Sequence, residues 1–267
     1  MSLMRTPTGG RSRLRVRPWH GDHRIAHVAP AGDFLGPLTP ADVGRALADL
    51  RRAGYTAAIT AALHRADRAP FVDVGFVETE RLHLLQHRFD ALVAAPPAPG
   101  VDIRRGRRRE HAEVLVVDHA AFAPFWRLDE AGLAEALTAT SSVHFQVART
   151  ASGIVGYAVC GRAGPRGYVQ RLAVDPGAQG RGIGAALVYD GLRWLRRWGA
   201  ADALVNTQEG NVRSLRLYHR AGFVLQPDGL AVLQITFDGR PMQAAGVAAA
   251  GSAPAPAPLA PRGEGRQ

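Results

Sequence analysis

The chain contains no lysine: all 33 of its basic residues are arginine. That absence excludes Schiff-base chemistry by a lysine amine and any Walker-type phosphate loop, which depends on one. Together with the heavy use of Ala, Gly and Pro, it reflects coding bias rather than a function. Cysteine is almost as scarce. The single Cys160 rules out an intramolecular disulfide and a multi-cysteine metal site. It sits in the apolar run 154–160, the setting of a core thiol rather than a nucleophile. No stretch reaches the ~18 apolar residues of a membrane helix, and the N-terminus lacks the apolar stretch of a signal peptide. A cytoplasmic protein with no membrane partner is expected. His83 and His87 are four apart, yet no carboxylate or cysteine completes a ligand set around them, so no metal is expected. There is no Gly-x-Ser-x-Gly elbow either.

What is present suits a globular chain. With 267 residues, 46% of them apolar, one large or two small cores can be buried. Much of the net charge of +10 sits at the ends: the first 24 residues carry six arginines against Asp22. No aromatic-interleaved basic face follows, so this reads as a solvated tail and a nucleic-acid partner is not expected. Residues 1–20 read as a disordered basic tail. Residues 21–93 hold a strand at 23–28, a helix capped by Thr39 and ending at Gly54, a strand at 57–60, a short helix at 65–74 and a strand at 76–85. The Ala/Pro/Gly stretch 94–100 reads as a linker. In residues 101–237, a strand at 101–105 and helices at 108–122 and 129–140 precede three antiparallel strands, 143–147, 154–160 and 167–174. A helix to Trp198, a strand at 203–206, a helix at 211–221 and a last pair of strands, 223–225 and 231–237, close the sheet. From 238 to 267 the composition collapses into an Ala/Pro/Gly tail expected to be disordered.

The most informative stretch runs from Val169 to Val174, then Asp175-Pro176-Gly177-Ala178-Gln179-Gly180-Arg181-Gly182-Ile183-Gly184, then an amphipathic segment. Strand, glycine loop and helix N-terminus in that order turn several backbone N–H groups into one concavity at the positive end of a helix, which suits phosphate. Asn211 opens a second segment, Asn211-x-x-Ser214-x-x-Leu217-Tyr218-x-x-x-Gly222-Phe223, 27 residues after Gly184.

Gln179-x-x-Gly182-x-Gly184 resembles the pyrophosphate loop of the GNAT acetyltransferase superfamily, and the Asn211 to Phe223 segment matches the same family at each fixed position. The resemblance covers about 101–237 and implies an α+β GNAT fold, with a mixed, mostly antiparallel twisted sheet flanked by helices. It implies acetyl-CoA as donor and a primary amine as acceptor, either a protein N-terminal α-amine or a small molecule. Pantetheine would lie along Leu172, Ala173 and Val174, with a backbone N–H near Leu172 as oxyanion donor. The pyrophosphate would lie on the N–H groups of Gln179, Gly180, Arg181, Gly182, Ile183, Gly184 and Ala185. Asn211 would hold loop and cofactor, and Tyr218 would protonate the departing thiolate. The base is where the sequence departs from the family. Its two usual glutamate positions hold Gln170 and Asn206, so Glu209, His219, a water wire or an acceptor that arrives deprotonated must serve. By strand alternation Tyr168 and Gln170 line the acceptor pocket.

The chain also looks like two copies of one unit. Leu50-Arg51-Arg52-Ala53-Gly54 matches Leu195-Arg196-Arg197-Trp198-Gly199, and Gly75-Phe76 matches Gly222-Phe223. This register sets Phe34-Leu35-Gly36-Pro37 opposite the glycine loop and Phe71 opposite Tyr218, so the first copy, at 21–93, is a truncated, degenerate half. The tandem plan is similar to that of mycothiol synthases, while the Asn211 segment is shared with ribosomal-protein α-amine acetylators. Strand 168–171 lacks the His-Trp expected of the former. A catalytically weak acyl-CoA-binding module is the competing reading, and the oligomeric state is left open.

Overall fold

A computed structural model describes residues 13–31, 36–90, 92 and 98–238. Among these the chain divides into two units, one holding the chain up to Thr79 together with 231–238, the other Glu80–Leu230. In chain order the elements begin with β1 (Leu14–Trp19), β2 (Asp22–Pro30), α1 (Pro40–Arg52), β3 (Ala57–Thr60), β4 (Leu63–His64), α2 (Ala69–Val72) and β5 (Val77–His87). Then come β6 (Asp102–Arg105), α3 (His111–Ala121), α4 (Glu130–Ala136), β7 (Ser142–Thr150), β8 (Gly153–Ala163) and β9 (Arg166–Val174). The chain continues through α5 (Ile183–Arg197), β10 (Asp202–Gln208), α6 (Val212–Arg220), β11 (Val224–Leu225) and β12 (Leu230–Thr236).

In the first unit β1 and β2 form a hairpin, β2 runs parallel to β3, and β3 pairs antiparallel with β12. Thr39 caps α1 through a capping box with Asp42, and Val43, Leu47 and Leu50 bury one face of that helix against Ala26, Val28 and Leu233. One expectation is corrected here. Leu14–Trp19 forms a strand inside the stretch expected to be disordered, because Leu14, Val16 and Trp19 supply an inward face that the alternating Arg13, Arg15 and Arg17 disguise. Strand 231–237 forms as expected, and one of its edges pairs antiparallel with β3 through Gln234–Thr236. Residues 1–12, Phe34 and Leu35, the linker at 93–97 and the tail from 239 lie outside the described residues.

The second unit is a mixed sheet. β5 pairs antiparallel with β10, β10 runs parallel to β9, and β9, β8, β7 and β6 follow antiparallel. β11 pairs with β5. On one face, a Cβ at Gly156 would touch Ile183 and Leu187 of α5. Tyr157 points the other way, toward α3. The helices therefore cover opposite faces.

The α3 face holds a buried charge network. The Asp118 carboxylate, on α3, takes Arg171 Nη2 at 2.6 Å and Nε at 2.8 Å, the Tyr157 hydroxyl at 2.5 Å and the Leu128 N–H at 2.8 Å. Arg171 also donates to the Trp126 carbonyl at 2.9 Å, and its guanidinium lies 3.6 Å over the Phe122 ring. Both ions are essentially inaccessible. An ion pair taken this far from water is tolerated only when nearly every lone pair and proton is used, as here.

Four chain reversals share one geometry. Gly54, Gly75, Gly199 and Gly222 each adopt φ between 79° and 98°. Each donates three residues back, and the next residue donates five back: Tyr55 to Leu50, Phe76 to Phe71, Ala200 to Leu195, Phe223 to Tyr218. The sequence repeat is thus also a repeat of backbone bonds. The rings follow it too, Phe71 meeting Phe76 edge-on at 5.3 Å and Tyr218 meeting Phe223 at 5.6 Å.

Replacing Asp118 by Ala leaves Arg171 buried and uncompensated. We expect a loss of about 3–5 kcal/mol, read by urea unfolding as an earlier midpoint; an unchanged midpoint would show that the network does not carry the second unit.

Candidate functional site

The site begins where β9 and β10 part. They pair only as Arg166–Asp202, Gly167–Ala203 and Tyr168–Leu204. Beyond Tyr168 and Leu204 there is no ladder between them, so the main chain of 170–174 faces a gap on that side while Leu172, Ala173 and Val174 pair with Ala158, Tyr157 and Gly156 of β8 on the other. β9 also bulges: Val169 opposes Cys160 and Arg171 opposes Val159, which leaves Gln170 without a partner on β8. The bulge turns Gln170 toward Thr140, to which its Nε2 donates at 3.2 Å. A Cβ on Gly161, the residue paired with Tyr168, would collide with the Gln170 amide. Tyr168 and Gln170 thus fall on one face, as expected.

At the end of β9, Asp175 accepts from the Gly177 N–H at 2.8 Å and starts a single helical turn. Gly180 and Gly182 follow with φ of 80° and 81°, a region costly for any residue with a Cβ. Gly182 is the cap of α5, and the Ala186 N–H bonds its carbonyl at 2.9 Å. The N–H groups of Ile183, Gly184 and Ala185 precede that first intrahelical bond. Gly180 and Arg181 are exposed, and Gly184 sits between Val174 and Leu217. Gln179 differs from its neighbours: its side-chain amide donates to the Val174 carbonyl at 3.0 Å and its N–H turns to the Pro176 carbonyl. It closes the loop.

Asn211 caps α6, its Oδ1 accepting from the Ser214 N–H at 3.0 Å. Two turns along, Tyr218 is buried, and burial, with the nearby Cys160 thiol, pushes its phenol well above the ordinary range. The phenol therefore keeps its proton. Cys160 is itself wholly buried and pushed up to about 12, an inert core thiol.

The two carboxylate and imidazole candidates for the base, Glu209 and His219, are exposed. A residue that the sequence did not single out stands nearby. Glu80, on β5, is half-buried and lies against Gln208, whose side-chain amide donates to it; burial and the neighbouring Glu209 raise its carboxyl above the ordinary value. Its only sequence signal is the charged stretch Glu78-Thr79-Glu80-Arg81 in an otherwise apolar strand. Arg171 was likewise missed as one half of the buried pair.

Comparison with known proteins fits this geometry. Residues 113–223 match the model of the Acetyltransferase (GNAT) family. A mycothiol acetyltransferase of Frankia alni is 32% identical over 174 residues, 57% of this chain and 52% of that protein, so the chain spans about half the length of that relative. Two solved structures share the fold. One is a GCN5-related N-acetyltransferase from Sphaerobacter thermophilus, with TM-score 0.56 and 17% identity over 84% of this chain and 76% of that one. The other is a tandem GNAT protein of the clavulanic acid pathway, with TM-score 0.55 and 14% identity over 80% and 75%. The splayed strands, the glycine loop and the family match coincide in one unit, and the chain therefore carries a GNAT-family acetyltransferase domain.

Proposed function

We propose that the chain transfers the acetyl group of acetyl-CoA to a primary amine. The observation that carries this reading is the splay of β9 from β10 directly ahead of a loop whose two left-handed glycines, Gly180 and Gly182, lead into the N-terminus of α5. An extended pantetheine arm can pair with the free edge of Leu172–Val174 as an added strand would. Its pyrophosphate then falls on the N–H groups of Gly180, Arg181, Gly182, Ile183, Gly184 and Ala185 at the positive end of α5. Asn211 acts through α6: by capping that helix it fixes the position of Tyr218.

The amine lone pair attacks the thioester carbon, a backbone N–H near Leu172 takes the oxyanion charge, and the C–S bond breaks. The departing thiolate takes the proton of Tyr218, and the amine, which has become an ammonium in the tetrahedral adduct, returns one. The high proton affinity of the buried phenol suits this donor. We assign residues 21–93 as a degenerate GNAT-like half: Pro37, which has no N–H, stands opposite Gly182, and Phe71, which has no hydroxyl, stands opposite Tyr218. Identity to a protein named mycothiol acetyltransferase favours a small-molecule acceptor over a protein N-terminus.

Acetyl-CoA at 100 times its dissociation constant should stabilise the protein by about 2.7 kcal/mol, seen as a rise in melting temperature. Gly182→Pro, which forbids the observed φ of 81°, should abolish that rise; an undiminished rise would place the pyrophosphate elsewhere. Tyr218→Phe should lower kcat by about 100-fold and leave acetyl-CoA affinity unchanged. A phenol with a raised pKa loses its proton only as pH climbs through that higher value, so the wild type should show no basic limb from Tyr218 below pH ~10. Full turnover by the Phe variant would remove Tyr218 from the chemistry. Acetyl-CoA binding without CoA release against any amine would make the domain a binding module.

A further inference from the structure

The gap between β9 and β10 contains two buried amide oxygens with nothing to accept from. Two residues past the last paired positions, Tyr168 and Leu204, stand Gln170 on one strand and Asn206 on the other. Gln170 Oε1 and Asn206 Oδ1 are both buried without a partner. For Gln170 the orientation is set by its neighbours: the Thr140 hydroxyl donates to the Ser142 carbonyl, so toward Gln170 it can only accept, which calls for Nε2 on that side and leaves the oxygen turned away. A buried acceptor without a donor costs about 1–3 kcal/mol, and a ligand that brings N–H groups removes that cost.

Negative charge lies one strand away. Leu82 of β5 pairs with Gln208 of β10, so strand alternation puts Leu82, Glu80, Gln208 and Asn206 on one face of the sheet. Gln208 donates to the Glu80 carboxylate, and Glu209 is the charged group that acts on it. Among the described residues Glu80 has no ion pair. The row from the gap outward is therefore Gln170 and Asn206, then Gln208, then an unneutralised carboxylate.

We propose that Glu80 draws the cationic form of the acceptor toward this gap and takes its proton through a chain of waters, while the amide oxygens of Gln170 and Asn206 hold the resulting neutral amine for attack. The idea rests on the acetyl-transfer reading above and supplies the base that positions 170 and 206 lack. The proton balance closes. The ammonium gives one proton to the Glu80 carboxylate and becomes an amine; after attack the nitrogen's second proton replaces the one that Tyr218 gave to the thiolate. Glu80 then releases its proton to water, so amide, CoA thiol and one proton are the products. Two acceptor oxygens and a carboxylate select a primary amine, which has hydrogens to fill both, over a hydroxyl acceptor, which has one.

The test is the pH profile of kcat/KM for the best acceptor among alaninamide, cysteinamide, glucosamine and putrescine, with acetyl-CoA as donor. Glu80→Gln should lower kcat/KM about 100-fold at pH 7, keep acetyl-CoA affinity and regain activity as pH rises through the amine's own pKa. Glu80→Asp should keep part of the wild-type profile, and matching melting temperatures exclude a folding defect. Gln170→Leu should raise KM for the amine with kcat little changed. A Glu80→Gln enzyme with wild-type kcat/KM and an unchanged acid limb overturns this proposal alone. A wild type that acetylates none of these amines yet acetylates a hydroxyl acceptor overturns both readings.

Discussion

The second unit depends on one buried contact, the Asp118 carboxylate against the Arg171 guanidinium. Neither ion could be buried alone; together they consume Tyr157, the Leu128 N–H and the Trp126 carbonyl, and so tie α3, β8, β9 and the loop at 122–128 into one arrangement. Arg171 lies between the bulged Gln170 and Leu172. Its immobilisation fixes both Gln170 and the strand edge at Leu172–Val174. A transition state is stabilised by dipoles that need not move, and a buried ion pair is one way to hold a strand that still.

Against that fixed strand the rest of the site divides its tasks by element. The glycine loop supplies the left-handed backbone that a residue with a Cβ rarely adopts, Gln179 gives its side chain to closing the loop, and Asn211 gives its oxygen to a helix cap. Tyr218 is held where burial keeps the phenol protonated. Two buried amide oxygens without partners, Gln170 Oε1 and Asn206 Oδ1, stand on the strands that border the gap.

The legible parts of the sequence were those with local causes. Gly180 and Gly182 announce positive φ, Thr39 announces a cap, and the four Gly-terminated helix ends repeat because each needs the same left-handed residue, whereas Asn211, read as a cofactor contact, spends its Oδ1 on a cap. Partners distant in sequence were not legible. Asp118 looks like an ordinary helical acid in Val116-Val117-Asp118-His119, and Arg171 like a surface position in an alternating strand; only their 53-residue encounter makes them a pair. Glu80 was hidden for the same reason, since nothing in its own strand states that β10 will lie beside it. β12 reads as a strand from its alternation, yet nothing local states that β3 will lie beside it, and β1 was masked by its own arginines.

The central claim is that one gap, bounded by β9, β10 and the glycine loop, holds the acetyl donor with its sulfur at Tyr218. A crystal structure of the protein with CoA bound tests it most directly. The account predicts pyrophosphate oxygens within hydrogen-bond distance of the N–H groups between Gly180 and Ala185, pantetheine amides paired with the Leu172–Val174 edge, and the sulfur within reach of the Tyr218 hydroxyl. CoA bound away from that loop, or a sulfur out of reach of Tyr218, would contradict it.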